Sequence, residues 1–79
     1  AYTGLAYYNI ACNHSLMENK REMVNYLNKA LDEGFFESDA RFEHFLEDPD
    51  FENYRDDEEF KAFIKKVRKK RKGFFERLF

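Results

Sequence analysis

Apolar residues return at helical spacing almost from the start of the chain. Leu5, Tyr8, Cys12 and Leu16 trace one stripe and Tyr7, Ile10, Ala11 and His14 an adjoining one, which predicts a helix from about Thr3 to Met17. Two stripes imply a helix covered on more than one side. Asn19 with Glu22 reads as a capping box. It opens a second helix, Lys20 to Glu33, with Met23, Val24, Leu27, Ala30 and Leu31 inward. Gly34 is placed to close that helix in the left-handed conformation. So short a connection folds the two helices into an antiparallel hairpin. Ser38 then caps a shorter helix, Asp39 to about Glu47, with Phe42, Phe45 and Leu46 inward. Pro49 disfavours helical geometry at Asp48 and stops it there. The stretch Asp48–Arg55 is expected to be irregular, anchored by Phe51 and Tyr54. Asp56 with Glu59 forms a second capping box before a fourth helix from Asp57, whose inner face is Phe60, Phe63, Ile64 and Val67. The same phase runs on through Arg71 to Phe74, Phe75 and Leu78, so this helix can reach the C-terminus. Gly73 opposes that by about 1 kcal/mol of helix propensity.

Composition narrows the class. Seventy-nine residues provide one small core, and 43% hydrophobic residues are enough for a globular chain despite 38% charged ones. Ten Phe equal all Val, Ile and Leu together, while Thr3, Ile10, Val24, Ile64 and Val67 are the only β-branched residues. That favours helices packed through aromatic side chains over strands. Three Gly and a lone Pro argue against a sandwich with many tight turns. Cys12 stands alone, so no disulfide staples the chain internally. No apolar run approaches the ~18 residues of a membrane span. The chain begins with Ala1 rather than Met, so a missing targeting segment says nothing about location. Location stays unknown, with the cytoplasm or a membrane periphery favoured.

The net charge of −2 conceals a strong polarity. Residues 61–79 hold nine of the fourteen Lys and Arg with one acid, Glu76, whereas residues 1–60 hold five bases and fifteen acids. Seven of the eight residues from Lys65 to Lys72 are basic. Such a dipole can steer an anionic partner or let two copies meet head to tail. The competing account, slightly ahead up to about Arg68, is a solvated helix end that complements the helix dipole.

The stretch from Tyr7-Tyr8-Asn9-Ile10-Ala11 to Ala30-Leu31, closing at Gly34-Phe35, resembles one tetratricopeptide (TPR) repeat. The family's signature positions fall on Tyr7, Ile10, Ala11, His14, Met23, Leu27 and Ala30. Ala11 and Ala30 are small where helices approach, and Tyr7 fills the gap between them. His14 stands in place of an aromatic, Met23 of a small residue, and Phe35 of the usual proline. Phe45-Leu46-Glu47-Asp48-Pro49-Asp50-Phe51, then Tyr54-Arg55-Asp56 and Phe60, resemble the degenerate unit with an Asp-Pro-Asp-apolar motif that closes certain bacterial and plastid TPR arrays. The resemblance covers about Leu5 to Val67. It implies an all-α, solenoid-type fold: a TPR hairpin over residues 3–34 and a degenerate capping pair over 35–67, with a basic-aromatic extension over 68–79. It also implies a ligand-facing surface made of Leu5, Tyr8, Asn9, Cys12 and Ser15. Tyr8 stands where chaperone-binding members carry lysine, so a carboxylate clamp is not supported.

Several constellations suggest chemistry and are better explained by structure. Asp48, Asp50, Glu52, the Tyr54 carbonyl, Asp56 and Glu59 follow the ligand spacing of a calcium loop, yet Asn53 replaces the turn glycine and Pro49 sits second. Capping of backbone N–H groups accounts for those carboxylates, and no metal is expected. Cys12 and His14, two residues apart on a helix, point about 200° away from each other and lack an orienting acid. One Cys and two His (His14, His44) fall short of a structural zinc set. The run Asp56–Glu59 sits where a helix start attracts acids. Neither a phosphate-binding glycine loop nor a nucleophile elbow is present. The sequence therefore argues for a non-catalytic protein-interaction module without cofactor, the C-terminal cap of a TPR protein.

An alternative is a structural or oligomerisation element, since the face of the first helix that an upstream repeat would cover is open. The extension adds a further one. Lys69, Lys70, Arg71 and Lys72 with Phe74, Phe75, Leu78 and Phe79 suit contact with a protein or a second copy first, then an anionic membrane surface. Nucleic acid ranks below both, because no aromatic interleaves the basic block. The extension is expected to project from the domain.

Overall fold

The computed structural model describes residues 2–78, except for the side chain of Leu78. The chain is all-α, and four α-helices account for most of it: α1 (Gly4–Leu16), α2 (Lys20–Asp32), α3 (Asp39–Glu47) and α4 (Glu58–Leu78). Two 3₁₀ segments, Phe35–Glu37 and Pro49–Tyr54, join α2 to α3 and α3 to α4.

The helix boundaries follow local chemistry. Thr3 caps α1, its hydroxyl accepting the Ala6 N–H at 3.1 Å. Glu18 takes a left-handed φ of 59° in the tight turn that reverses the chain, and α2 begins directly after Asn19. The Asn19 side chain does not cap α2 as its position suggests. It turns back toward α1, with Nδ2 3.4 Å from His14 Nδ1. Gly34 ends the hairpin at φ 80°, as expected. Ser38 caps α3 through the Arg41 N–H at 3.3 Å, and Asp48 takes the extended conformation that Pro49 imposes. The stretch after Pro49 is a 3₁₀ helix rather than irregular, started by Asp48 Oδ1 accepting the Asp50 N–H at 3.0 Å. α4 is capped by Asp57, one residue later than the pattern indicated: its Oδ2 accepts the Phe60 N–H at 3.1 Å. That bond, and then Lys20, holds the Asp57 carboxyl below its usual range.

The core is aromatic and lies between the α1–α2 hairpin and the second half of the chain. Phe36, Phe45, Phe51 and Phe60 are fully buried together with Met23, Leu27 and Val67. Ala11 and Ala30 have no exposed surface, as expected of small residues where α1 and α2 meet. Gly4 is required for a related reason. A Cβ there would lie 3.0 Å from the Phe35 Cβ, so any other residue would push α1 and the Phe35–Glu37 turn apart by a few tenths of an ångström.

α4 runs unbroken through Gly73 to Leu78, as the continued phase of Phe74 and Phe75 indicated. It does not simply project. Arg71 is 15% exposed, donates to the Phe36 carbonyl at 2.6 Å, pairs with Asp39, and stacks on Phe42 and Phe75 at 4.9 and 5.3 Å from the ring centres. Arg71 therefore fastens the first part of the extension to the domain. Arg71→Ala should lower stability by about 1.5 kcal/mol, the scale of a charged donor on a partly buried carbonyl. That is a fall of about 10 °C in melting temperature for a chain this size, readable by circular dichroism. An unchanged midpoint would return the extension to the status of a free tail.

Candidate functional site

Three α1 side chains at helical spacing, Tyr8, Cys12 and Ser15, point to one side and meet the turn Asp48–Pro49–Asp50. The Tyr8 hydroxyl donates to Asp48 Oδ2 at 2.6 Å, Cys12 Sγ lies 3.9 Å from the same oxygen, and the Ser15 hydroxyl donates to the Asp50 carbonyl at 2.6 Å. Asp48 is 5% exposed and serves as the hub of this cluster. Its carbonyl accepts from Arg55 Nη2 at 2.7 Å, and His44 Nε2 reaches Oδ2 at 3.3 Å from the solvent side. α3 delivers Asp48 at its C-terminal end, and Pro49 fixes the extended geometry that turns the carboxylate toward α1.

The environment keeps both acidic protons in place. Burial first, then the hydrogen bond to Asp48, raises the Tyr8 phenol far above its ordinary 10.0. Burial first, then the charges of Asp48 and Asp50, pushes the Cys12 thiol from 9.0 up to about 12. That environment favours the protonated Cys12 thiol over the thiolate. Cys12, Asp48 and Asp50 bring their ligand atoms within 4.8 Å of one another, the one such group among the described residues. Both Asp48 oxygens are already engaged, by Tyr8 and by the Asp50 N–H, so hydrogen bonding accounts for the group. Of the calcium-loop positions, Asp48 bonds Tyr8 of α1, while Glu59 pairs with Lys20 of α2 at 3.1 Å.

Stability should consequently depend on alkaline pH. The unfolded chain releases the Cys12 proton near 9.0 and the folded chain near 12, so over that interval the folded state binds more protons. Unfolding free energy then falls as pH rises, by at most about 1.4 kcal/mol per pH unit per group; Tyr8 acts in the same direction above 10.0. Melting curves between about pH 8 and 11 should fall less steeply for Cys12→Ala than for the wild type. Parallel curves would remove Cys12 from the effect.

The ligand surface drawn from the resemblance is divided by this arrangement. Tyr8, Cys12 and Ser15 are buried and taken by the chain's own Asp48–Pro49–Asp50 turn, whereas Leu5, 49% exposed, and Asn9 face outward. Nothing in the α1 sequence pointed to Asp48 as its partner forty residues away. The extension is divided too. Lys69, Lys70 and Lys72 are exposed, with Lys70 3.7 Å from Asp32, and Arg71 is anchored. Phe74 lies in a cleft with Leu31 and Phe36, and Phe75 in a groove with Phe42 and Leu46, both half-buried against the domain. The Leu78 side chain and Phe79 lie outside the described residues. Among the described residues no helix is long and apolar enough to cross a membrane.

One further surface stands out. Residues 1–17 contain no Asp, Glu, Lys or Arg, in a chain 38% charged. Tyr2, Leu5, Leu16 and Met17, at 61, 49, 59 and 59% exposure, are the exposed large hydrophobic residues among those described, and all belong to α1 or its flanks. Compared with known protein families, curated proteins and solved structures, the chain matches none.

Proposed function

We propose that this chain is a non-catalytic protein-interaction unit, the closing member of a TPR-like stack of helical hairpins, and that the outward face of α1 receives the neighbouring helices. The observation that carries the reading is the uncharged α1 surface, with Leu5, Asn9 and Leu16 within about 40° of one another around the helix. Exposed apolar surface free of charge is the mark of a face that is covered in use. Ala11 and Ala30, both fully buried, supply the close helix approach that a stacked hairpin needs. The adjoining side of α1 is already closed by the Asp48–Pro49–Asp50 turn, as befits a unit that ends a stack. Tyr8 and Cys12 hold their protons beside Asp48, which suits a fastening better than a reaction centre.

The test is to place an idealised helical hairpin ahead of Ala1 in stacking register. Repeats that share an interface melt together and stabilise one another. A single transition at a raised midpoint is expected, and Leu5→Glu with Leu16→Glu should abolish the rise. If the added hairpin melts separately and leaves the midpoint of this unit unmoved, the reading fails.

A further inference from the structure

We infer that the groove between α3 and the C-terminal half of α4 is a self-complementary surface that takes a second copy of this chain. Its floor is apolar, made by Phe42, Leu46 and Phe75. Its two walls carry opposite charge: Asp39 and Glu43 on α3, Arg68 and Lys72 on α4. Arg71 crosses beneath, bonded to Asp39 and stacked on Phe42 and Phe75, so the walls are held at a fixed separation. Arg68 is likewise placed over the Phe42 ring, 5.3 Å from its centre. Glu43 and Lys72 are exposed and form no ion pair with any described residue.

This charge arrangement selects both the occupant and its orientation. A partner lying face to face in the groove must bring positive charge to α3 and negative charge to α4. A second copy does so when the two-fold axis runs along the groove, because that rotation sets α3 of one copy against α4 of the other. With the axis across the groove α3 would face α3, and like charges would meet. A uniformly acidic helix would satisfy the α4 wall and be repelled by Glu43. The apolar floors then cover each other, and each charge contact occurs twice. The patch is small beside a standard interface of about 800 Å² per partner, so the association is weak and reversible. It uses none of the α1 surface and stands or falls independently of the reading above.

Sedimentation of the intact chain from about 10 µM to about 1 mM tests it. The weight-average mass should climb toward twice the monomer mass at about 0.05 M salt and less so at about 0.5 M, since exposed charges are screened. Glu43→Lys and Lys72→Glu should each weaken association at least about tenfold, because like charges then meet at two places per dimer. An equal mixture of the two variants should regain wild-type association, each mismatched wall meeting its new opposite. Both side chains are exposed, so the helical spectrum should not change. If either reversal disturbs it, Glu43→Gln and Lys72→Gln replace the pair, each expected to reduce the salt dependence. A monomer throughout the concentration range overturns the inference. So does a dimer insensitive to these variants, or one sensitive instead to Leu5→Glu.

Discussion

Phe45→Ala is expected to remove about 4 kcal/mol of stability, the middle of the range for deleting a buried aromatic ring. A chain of this size is held by a total on the order of 4 to 12 kcal/mol, so the variant should lose roughly a third or more of its stability. The reason lies in what surrounds the ring. Phe45 has no exposed surface, and its centre is 5.0 Å from that of Phe36, 5.2 Å from Phe51, 5.5 Å from Phe60, 5.9 Å from Phe63 and 6.0 Å from Tyr8. Those five rings come from α1, both 3₁₀ segments and α4, so the cavity would open where α3 meets all of these. Rigid rings cannot collapse into it without leaving their own contacts. Phe45→Leu keeps most of the volume and should cost about 1.5 kcal/mol. Urea titration followed by circular dichroism measures both. A loss below about 1.5 kcal/mol for Phe45→Ala would mean that the core repacks freely.

Asp48→Ala should cost about 3 kcal/mol, although it deletes only a carboxylate at a turn. It strands the buried Tyr8 hydroxyl without an acceptor and removes the cap from the Asp50 N–H. A lost hydrogen bond between a hydroxyl and a carboxylate, plus one unsatisfied buried donor, reaches that figure. Asp48→Asn keeps an acceptor for the Asp50 N–H and an amide beside Tyr8, so about half the loss is expected. The informative measurement is a double-mutant cycle with Tyr8→Phe. Direct contact predicts a coupling of about 1 to 2 kcal/mol between the two positions. Additive losses would show that the bond to Tyr8 contributes nothing and that Asp48 acts through the turn alone.

Much of the fold was legible because it is local. The stripes on α2, Ser38 before α3, Gly34 after the hairpin and Pro49 after Asp48 each act within one or two turns of backbone, and each does in the structure what its position suggests. Two helix starts differed from the local pattern. Asn19 and Asp56 satisfy the local pattern for an N-cap, but a side chain that can cap can also bond elsewhere. Asn19 lies beside His14, and Asp57 caps in place of Asp56 because its second oxygen also receives Lys20 from α2 at 3.1 Å. The candidate site was legible only in part. Spacing placed Tyr8, Cys12 and Ser15 on one side of α1 but could not say what would cover them.

Relations between neighbouring residues settle the class of this protein, an all-α chain with a hairpin, a proline-stopped third helix and a fourth helix that carries nine of the fourteen Lys and Arg. Helical periodicity, capping residues and the shortage of β-branched side chains are properties of neighbouring residues, so they survive without any knowledge of the fold. Only the tertiary structure decided which surfaces are used. It turned Asp48 inward to bond Tyr8, drew Arg71 from a polybasic run onto Phe42 and the Phe36 carbonyl, and left α1 with an uncharged outward face. The first two of those outcomes pair residues 29 to 40 positions apart. A buried carboxylate or a half-buried guanidinium is tolerated only where partners from distant segments arrive at hydrogen-bonding distance, and packing alone brings them there.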